Sequence, residues 1–157
     1  MKIIVAPDSF KGSLTAPQAA EAIKRGIMRA FERKTDCEAD LIPMSDGGEG
    51  FVDAMITAQK GWAVTVRTVD PLGRPIQAAY GLIDNGKTAV IETAAASGLT
   101  LVSERKRPLP SSTYGTGLLM RDSLDRGCEK LLLGLGGSAT NDGGMGMLSA
   151  LGAKFWG

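Results

Sequence analysis

The stretch Gly134-Leu135-Gly136-Gly137-Ser138-Ala139-Thr140-Asn141-Asp142-Gly143-Gly144 constrains this chain more than any other. It follows an apolar run, Lys130 to Leu135, that suits a buried strand, and it precedes a helical segment from about Gly144 to Leu151 with Gly152 as terminator. A loop in that position aims unsatisfied backbone N–H groups and the positive end of a helix dipole at whatever sits above the sheet. Ser138, Thr140 and Asn141 add hydroxyl and amide donors, so an anion is the natural guest. The plain alternative is a tight βα turn with capping residues, which needs one or two glycines; five stand here. Asp142 reads either as a metal or hydroxyl contact or as a cap of the following helix.

Two further loops have the same setting. Ser45-Asp46-Gly47-Gly48-Glu49-Gly50 lies between an apolar run, Ala39 to Met44, and a helical run, Glu49 to Gln59, closed by Gly61 at the C′ position. Its carboxylates could hold Mg²⁺ through water or accept a proton from a substrate hydroxyl; otherwise they complement a helix dipole. Pro7-Asp8-Ser9-Phe10-Lys11-Gly12-Ser13 follows a first strand, Lys2 to Ala6. A helix then opens with the capping-box pattern Thr15-Ala16-Pro17-Gln18 and continues with Ala19, Ala20, Ile23, Ile27, Ala30 and Phe31 at helical spacing. Lys11 is placed to meet a phosphate or carboxylate, although a solvated surface lysine is the commoner case. In an open α/β sheet, loops at the carboxyl ends of strands converge on one crevice, and that shared address argues for function better than any one loop.

The middle of the chain changes character. Trp62 to Val69 alternates with period two, Pro71-Leu72-Gly73-Arg74-Pro75 breaks it, and Ile76 to Ile83 is joined to Lys87 to Glu92 by the hairpin signal Asp84-Asn85-Gly86. After a Pro- and Arg-containing loop at 103–110, a helix is expected from Thr116 to Asp125, ending at Gly127. Glu92-Thr93-Ala94-Ala95-Ala96-Ser97-Gly98 reads as a short helix with a glycine cap, with Glu92 free to face the crevice. Ser111 to Gly117 offers further hydroxyls ahead of a helix. The predicted class is α/β: a mostly parallel, Rossmann/flavodoxin-like sheet with an antiparallel segment at 62–92.

Composition excludes several chemistries. No histidine is present, which removes a Ser-His-Asp triad, a Cys-His pair and a His-ligated metal site. Eighteen basic residues against 17 acidic give a net charge of +1, so nothing points to nucleic acid or a membrane surface as partner. Cys37 and Cys128 are too far apart in sequence for a metal or redox motif and read as free thiols of a soluble, cytoplasmic protein. Gly81-Leu82-Ile83-Asp84-Asn85-Gly86-Lys87-Thr88 matches the Walker A pattern literally, but a P-loop needs a helix beginning at its Lys-Thr, and here Thr88-Ala89-Val90-Ile91 continues as a strand. We read it as a chance match. Ala153 to Gly157 resembles the start of another strand, and two adjacent aromatics at the end predict a truncated chain or one piece of a longer protein.

Taken together, Ala6-Pro7-Asp8-Ser9-Phe10-Lys11-Gly12-Ser13-Leu14, Pro43-Met44-Ser45-Asp46-Gly47-Gly48-Glu49-Gly50, Ala94-Ala95-Ala96-Ser97-Gly98-Leu99, Tyr114-Gly115-Thr116-Gly117 and Gly136 to Gly144 resemble the bacterial glycerate kinase family, in family order and across nearly the whole chain. Thr93 and Leu118 depart from it, standing where Met and Glu are expected. The resemblance implies ATP and Mg²⁺, D-glycerate as acceptor and phosphoglycerate as product. It also implies two α/β domains, with residues 1–92 the N-terminal part of the first and 93–157 the start of the second, in a protein well over twice this length. On that basis the expected catalytic residues are Lys11, Asp46 and Asp142. Asp8, Ser9, Gly47, Gly48, Glu49, Gly136, Gly137, Ser138, Thr140 and Asn141 are expected to bind substrate or phosphate, and Asp46 and Asp142 to hold Mg²⁺. A homo-oligomer or the missing C-terminal half is the expected protein partner. The competing readings are a non-catalytic α/β module for a phosphorylated metabolite, an inactive truncated product, and a P-loop NTPase built on Gly81 to Thr88.

Overall fold

The computed structural model describes residues 1–10, 13–31, 37–102 and 111–156. The chain forms two compact units, Met1–Asp46 and Gly47–Gly157. The expected loop at 103–110 and the residue Lys11 lie outside the described residues.

The first unit pairs β1 (Lys2–Val5) in parallel with β2 (Glu38–Leu41), from Lys2 opposite Glu38 to Val5 opposite Leu41, with α1 (Ala16–Ala30) between them in sequence. The capping box that opens α1 forms as the sequence predicts. Gln18 N donates to the Thr15 side chain and Thr15 N donates to the Gln18 side-chain Oε1, while Pro17 sits in the first turn where no N–H is needed. The apolar face of α1 is buried only at its start, at Ala16, Ala19 and Ala20, whereas Ile23 and Met28 are each 41% exposed.

The second unit holds a four-stranded sheet in the order β3 (Trp62–Val69), β4 (Pro75–Ile83), β5 (Thr88–Glu92), β6 (Lys130–Gly134). β3, β4 and β5 pair antiparallel, as the alternation and the hairpin signal predict, and β5 pairs with β6 in parallel from Thr88 opposite Lys130 to Glu92 opposite Gly134. The α/β class with an antiparallel segment is therefore present. Strands on either side of residues 92 and 93 are neighbours in this one sheet. β5 is buried at every position but its last, and Val90 and Ile91 are fully enclosed, each burial contributing about 1.5–3 kcal/mol.

Helices cover both faces. Val52, with Phe51, Met55 and Ile56 of α2 (Phe51–Gln59), packs against Ile83 and Val90. Ala96 of α3 (Ala94–Ser97) and Leu119 of α4 (Tyr114–Asp125) pack with Ala78, Tyr80, Leu82, Ala89 and Ile91. The last helix, α5 (Met145–Ala150), ends at Gly152 with φ 99°.

Between β3 and β4 the chain turns over a nearly inaccessible carboxylate. Asp70, 2% exposed, accepts from Leu72 N at 2.8 Å, from Arg74 N at 2.9 Å and from Arg74 Nε. Burial pushes this carboxyl up, but the Arg74 and Leu72 hydrogen bonds and the Arg74 charge outweigh it and hold it below the ordinary carboxylate value.

Two local expectations need correction. The left-handed residue closing α2 is Lys60 (φ 53°), and Gly61 follows it, donating to Ile56 O at 2.8 Å in a Schellman arrangement. Gly61 is glycine for another reason: a Cβ there would collide with the Leu82 carbonyl oxygen and meet Ile83 Cγ2 at 2.8 Å. Secondly, residues 153–156 form no strand. A strand needs a ladder partner, and here Ala153 N instead closes α5 by donating to Leu148 O.

Candidate functional site

The geometry centres on the carboxyl ends of the parallel pair β5–β6, where three segments meet. Glu92-Thr93 leads into α3, Gly134 leads into the glycine-rich loop, and Gly47 to Gly50 leads into α2. Thr93 donates to the Gly134 carbonyl oxygen through both its N–H and its Oγ1, each at 2.8 Å. Gly136 N donates to Gly47 O at 3.0 Å, so the two glycine loops lie backbone on backbone. Beyond Gly136 the loop is laced to α3 by Leu99 N to Gly137 O (2.9 Å) and Ala139 N to Ser97 O (2.8 Å). A buried hydroxyl pair, Ser97 Oγ and Thr116 Oγ1 at 2.7 Å, ties α3 to α4 beneath it.

This packing accounts for every glycine of the loop. A Cβ on Gly134 would collide with Gly47 O, and one on Gly136 would sit 2.6 Å from both Cα and N of Gly48. Gly137, Gly143 and Gly144 have φ of 71°, 61° and 81°, which side chains other than glycine's adopt at a cost. The excess of glycine therefore reflects close backbone approach between two loops and three left-handed turns, rather than approach to a ligand alone.

The donors of the loop point to an anion more directly. The bonding of Ala139 N and Leu99 N across the Gly98–Ser138 bridge turns Ser138 N away from α3. Among the described residues, the N–H groups of Gly137, Ser138, Asn141 and Gly143 find no acceptor. Ser138 Oγ and Thr140 Oγ1 lie 2.9 Å apart, each half-buried. The segments 47–50, 92–98 and 134–144 contain no Lys or Arg, so an anion held here would rest on backbone and hydroxyl donors.

Asp142 is bound up in the protein itself. Its two oxygens accept from Thr113 N (2.8 Å), Thr113 Oγ1, Ser112 Oγ (3.3 Å), Gly144 N and Gly146 N (3.1 Å each). Burial raises its pKa, yet these donors more than offset that and hold the carboxyl low. A carboxylate offers about four lone-pair positions, and five donors already address them. Its bonds to Gly144 N and Gly146 N at the start of α5 and to Thr113 at the start of α4 tie the two helix starts together. Gly146 and Gly117 make room, since a Cβ on Gly117 would meet Met147 O at 2.6 Å and Ala150 Cβ at 2.7 Å.

Glu92, read from sequence as a residue that could face the crevice, accepts from Val52 N at the start of α2 through Oε1 at 2.8 Å. Burial raises its pKa, and the nearby Asp53 and Glu49 push the same way against the Val52 and Gly50 amides. Sequence reasoning also missed Thr93 and Thr113 as anchors. Their hydrogen bonds span 41 and 29 residues and become legible only once the sheet order is known.

In the first unit, Ile42 N donates to Val5 O and Met44 N to Pro7 O (both 2.9 Å), which carries the parallel pairing past the strands. Asp8-Ser9 and Ser45-Asp46 thus leave from the same end of that pair. Asp8 Oδ1 accepts from Ser9 N at 2.6 Å. Ser45, Asp46, Gly47 and Gly48 all have partners of their own. Among the described residues no group of three or more His, Cys, Asp or Glu is assembled to hold a metal ion.

The Walker-like stretch is not a phosphate loop. Gly81 lies inside β4, opposite Val90, and Lys87 sits at the amino end of β5, at the opposite end of the strand from the glycine loops. Lys87 Nζ pairs with Glu129 at 3.3 Å, with both side chains mostly exposed. Lys87→Ala should leave nucleotide affinity within about twofold of the unaltered protein, as read by equilibrium titration; a loss of about tenfold or more would restore the P-loop reading.

Comparison with known proteins fits this picture. The family model for the glycerate kinase family matches residues 3–157. The chain is 51% identical over 155 residues to a glycerate kinase of Bacillus subtilis (strain 168) and 48% identical over 155 residues to a glycerate 2-kinase of Escherichia coli (strain K12), covering 98% of this chain and 40% of each relative. A crystal structure assigned as glycerate kinase 2 from Salmonella typhimurium LT2 superposes with a TM-score of 0.79 at 47% identity, covering 97% of this chain and 40% of that one. The chain thus spans about two fifths of the length of these relatives, and with nearly all of its residues matched it belongs to the glycerate kinase family.

Proposed function

We propose that this chain is the N-terminal part of a kinase that transfers the γ-phosphoryl group of ATP to a hydroxyl of D-glycerate. The observation that carries the reading is the set of donors on the Gly136–Gly144 loop: four N–H groups without an acceptor among the described residues, beside the Ser138 and Thr140 hydroxyls. Phosphoryl transfer asks for positioning and charge neutralisation more than covalent help, and a rigid set of backbone dipoles supplies both without reorganising during the reaction.

In this reading Gly137, Ser138, Thr140, Asn141 and Gly143 hold a phosphate or carboxylate, while Gly136, whose N–H is taken by Gly47 O, together with Gly47, Gly48 and Glu49 shapes the loop on which they rest. Asp142 keeps the loop and α5 in place. Mg²⁺ is commonly held by one or two carboxylates together with the substrate's phosphates. Asp46 is assigned to hold the ion, directly or through water, or to take the hydroxyl proton. Mg²⁺ when bound neutralises charge on the transferred group. Asp8 and Ser9 are assigned to substrate binding and Lys11 to an anionic group. The free thiols Cys37 and Cys128 suit a reducing, cytoplasmic compartment, and no described helix is long and apolar enough to cross a membrane.

The test is a coupled assay for ADP release from MgATP with D-glycerate, run on the 157-residue chain and on the protein extended to the length of its relatives. Turnover in the extended protein is the expected result. A folded extended protein that binds phosphometabolites but releases no ADP would replace the kinase with a binding module.

A further inference from the structure

We infer that Glu92 and Thr93, consecutive residues at the carboxyl end of β5, act as one positioning clamp that sets the two glycine loops against each other. The inference rests on the kinase reading for its effect on turnover, but not for its structural content.

Each residue holds a different loop. Glu92 accepts from Val52 N at 2.8 Å, at the start of α2, and so anchors the segment that runs back through Gly50 to Gly47. Thr93 holds Gly134, the first residue of the glycine-rich loop, through N–H and Oγ1 at 2.8 Å each; it is 4% exposed. Between these two anchors the loops touch directly, with Gly136 N on Gly47 O at 3.0 Å and no room for a Cβ at Gly134 or Gly136. The circuit is closed: β5 to α2, α2 back to Gly47, Gly47 to Gly136, and Gly134 to β5. A second bond locks Thr93 from below, since Thr116 Oγ1 approaches its carbonyl oxygen at 3.4 Å.

The arrangement explains how a carboxylate occupies a half-buried strand end where, among the described residues, no cation pairs with it. Its partners are N–H groups of the α2 start, and the favourable helix dipole offsets part of the desolvation. A residue without a hydroxyl at position 93 would keep the N–H bond to Gly134 O but could not supply the second donor.

The clamp makes three variants behave differently. Glu92→Leu removes the acceptor; Glu92→Gln retains an amide oxygen that can accept from Val52 N; Thr93→Val keeps the volume and the N–H bond but loses Oγ1. The experiment is amide hydrogen exchange on the extended protein, followed at Val52 and Gly136, together with steady-state kinetics for MgATP and D-glycerate. Glu92→Leu should speed exchange at Val52 and also at Gly136, which Glu92 does not touch, by about tenfold or more. Glu92→Gln should restore both sites to within about threefold, and Thr93→Val should speed Gly136 with a smaller effect at Val52. Turnover should fall in the same order. Acceleration at Val52 alone, with Gly136 unchanged in all three variants, would overturn the clamp and leave Glu92 a simple helix cap. If the unaltered protein exchanges as described but releases no ADP, the kinase reading fails and the clamp stands. If turnover is present and unaffected by all three variants, the clamp does not serve the reaction.

Discussion

Asp142→Ala should be the most damaging single replacement among the candidate site residues, costing roughly 3 kcal/mol of folding stability. The reason is the number of groups it leaves behind. Losing an N-cap alone costs about 1 kcal/mol, and stranding further donors that the cap satisfied adds comparable amounts. Here the carboxylate serves Gly144 and Gly146 at the start of α5 and also Ser112 and Thr113 at the start of α4. In a unit of this size the melting temperature should drop by about 10–15 °C. Thermal unfolding followed by circular dichroism reads this directly, and a drop below about 2 °C would show that water replaces the carboxylate without penalty.

The same group predicts a pH dependence. Its folded-state pKa lies below the ordinary value of 3.8, so the stability it contributes is fully present above that value and is lost as pH falls through the folded pKa. Asp142→Asn should therefore be less stable at neutral pH and should approach the unaltered protein as the solution is made more acid. Parallel stability curves for the two proteins below about pH 4 would contradict it.

The second large effect is expected at Gly136. An alanine Cβ there would lie 2.6 Å from two backbone atoms of Gly48, which cannot swing aside as a long side chain can. Relief requires the two loops to part, which breaks Gly136 N to Gly47 O. Gly136→Ala should cost about 2–3 kcal/mol and reduce turnover of the extended protein about a hundredfold or more. Gly26→Ala supplies the contrast. Gly26 lies on α1, and nothing comes within 4 Å of the place its Cβ would take, so alanine there should stabilise by about 0.5–1 kcal/mol. Equal effects at the two positions would mean that the loop contact is not the constraint.

How far the sequence leads depends on the range of the interactions involved. The capping box at Thr15, the hairpin at Asp84-Asn85-Gly86 and the long strand from Trp62 to Val69 are written in adjacent residues, and all three form as read. The glycine-rich loop is placed correctly because an apolar run precedes it and a helix follows. What stays hidden is why its glycines are there. Gly134 and Gly136 answer to Gly47 and Gly48, almost ninety residues earlier, and only the parallel pairing of β5 with β6 brings those segments together. Asp142 shows the same limit: its spacing to α5 suggests a cap, but nothing local reveals that Thr113 shares it. Nothing near Glu92 in the sequence reveals that α2 presents Val52 N to it.

In the proposed reading the Gly136–Gly144 loop grips an anionic group of a substrate through its backbone. Amide hydrogen exchange on the extended protein tests it most directly, measured alone, with MgATP, with D-glycerate and with both. Slowing by about tenfold or more at Gly137, Ser138, Asn141 and Gly143 with either ligand is the predicted result. Saturation with both ligands, turnover proceeding, and unchanged exchange across that loop would contradict it and place the anion elsewhere in the protein.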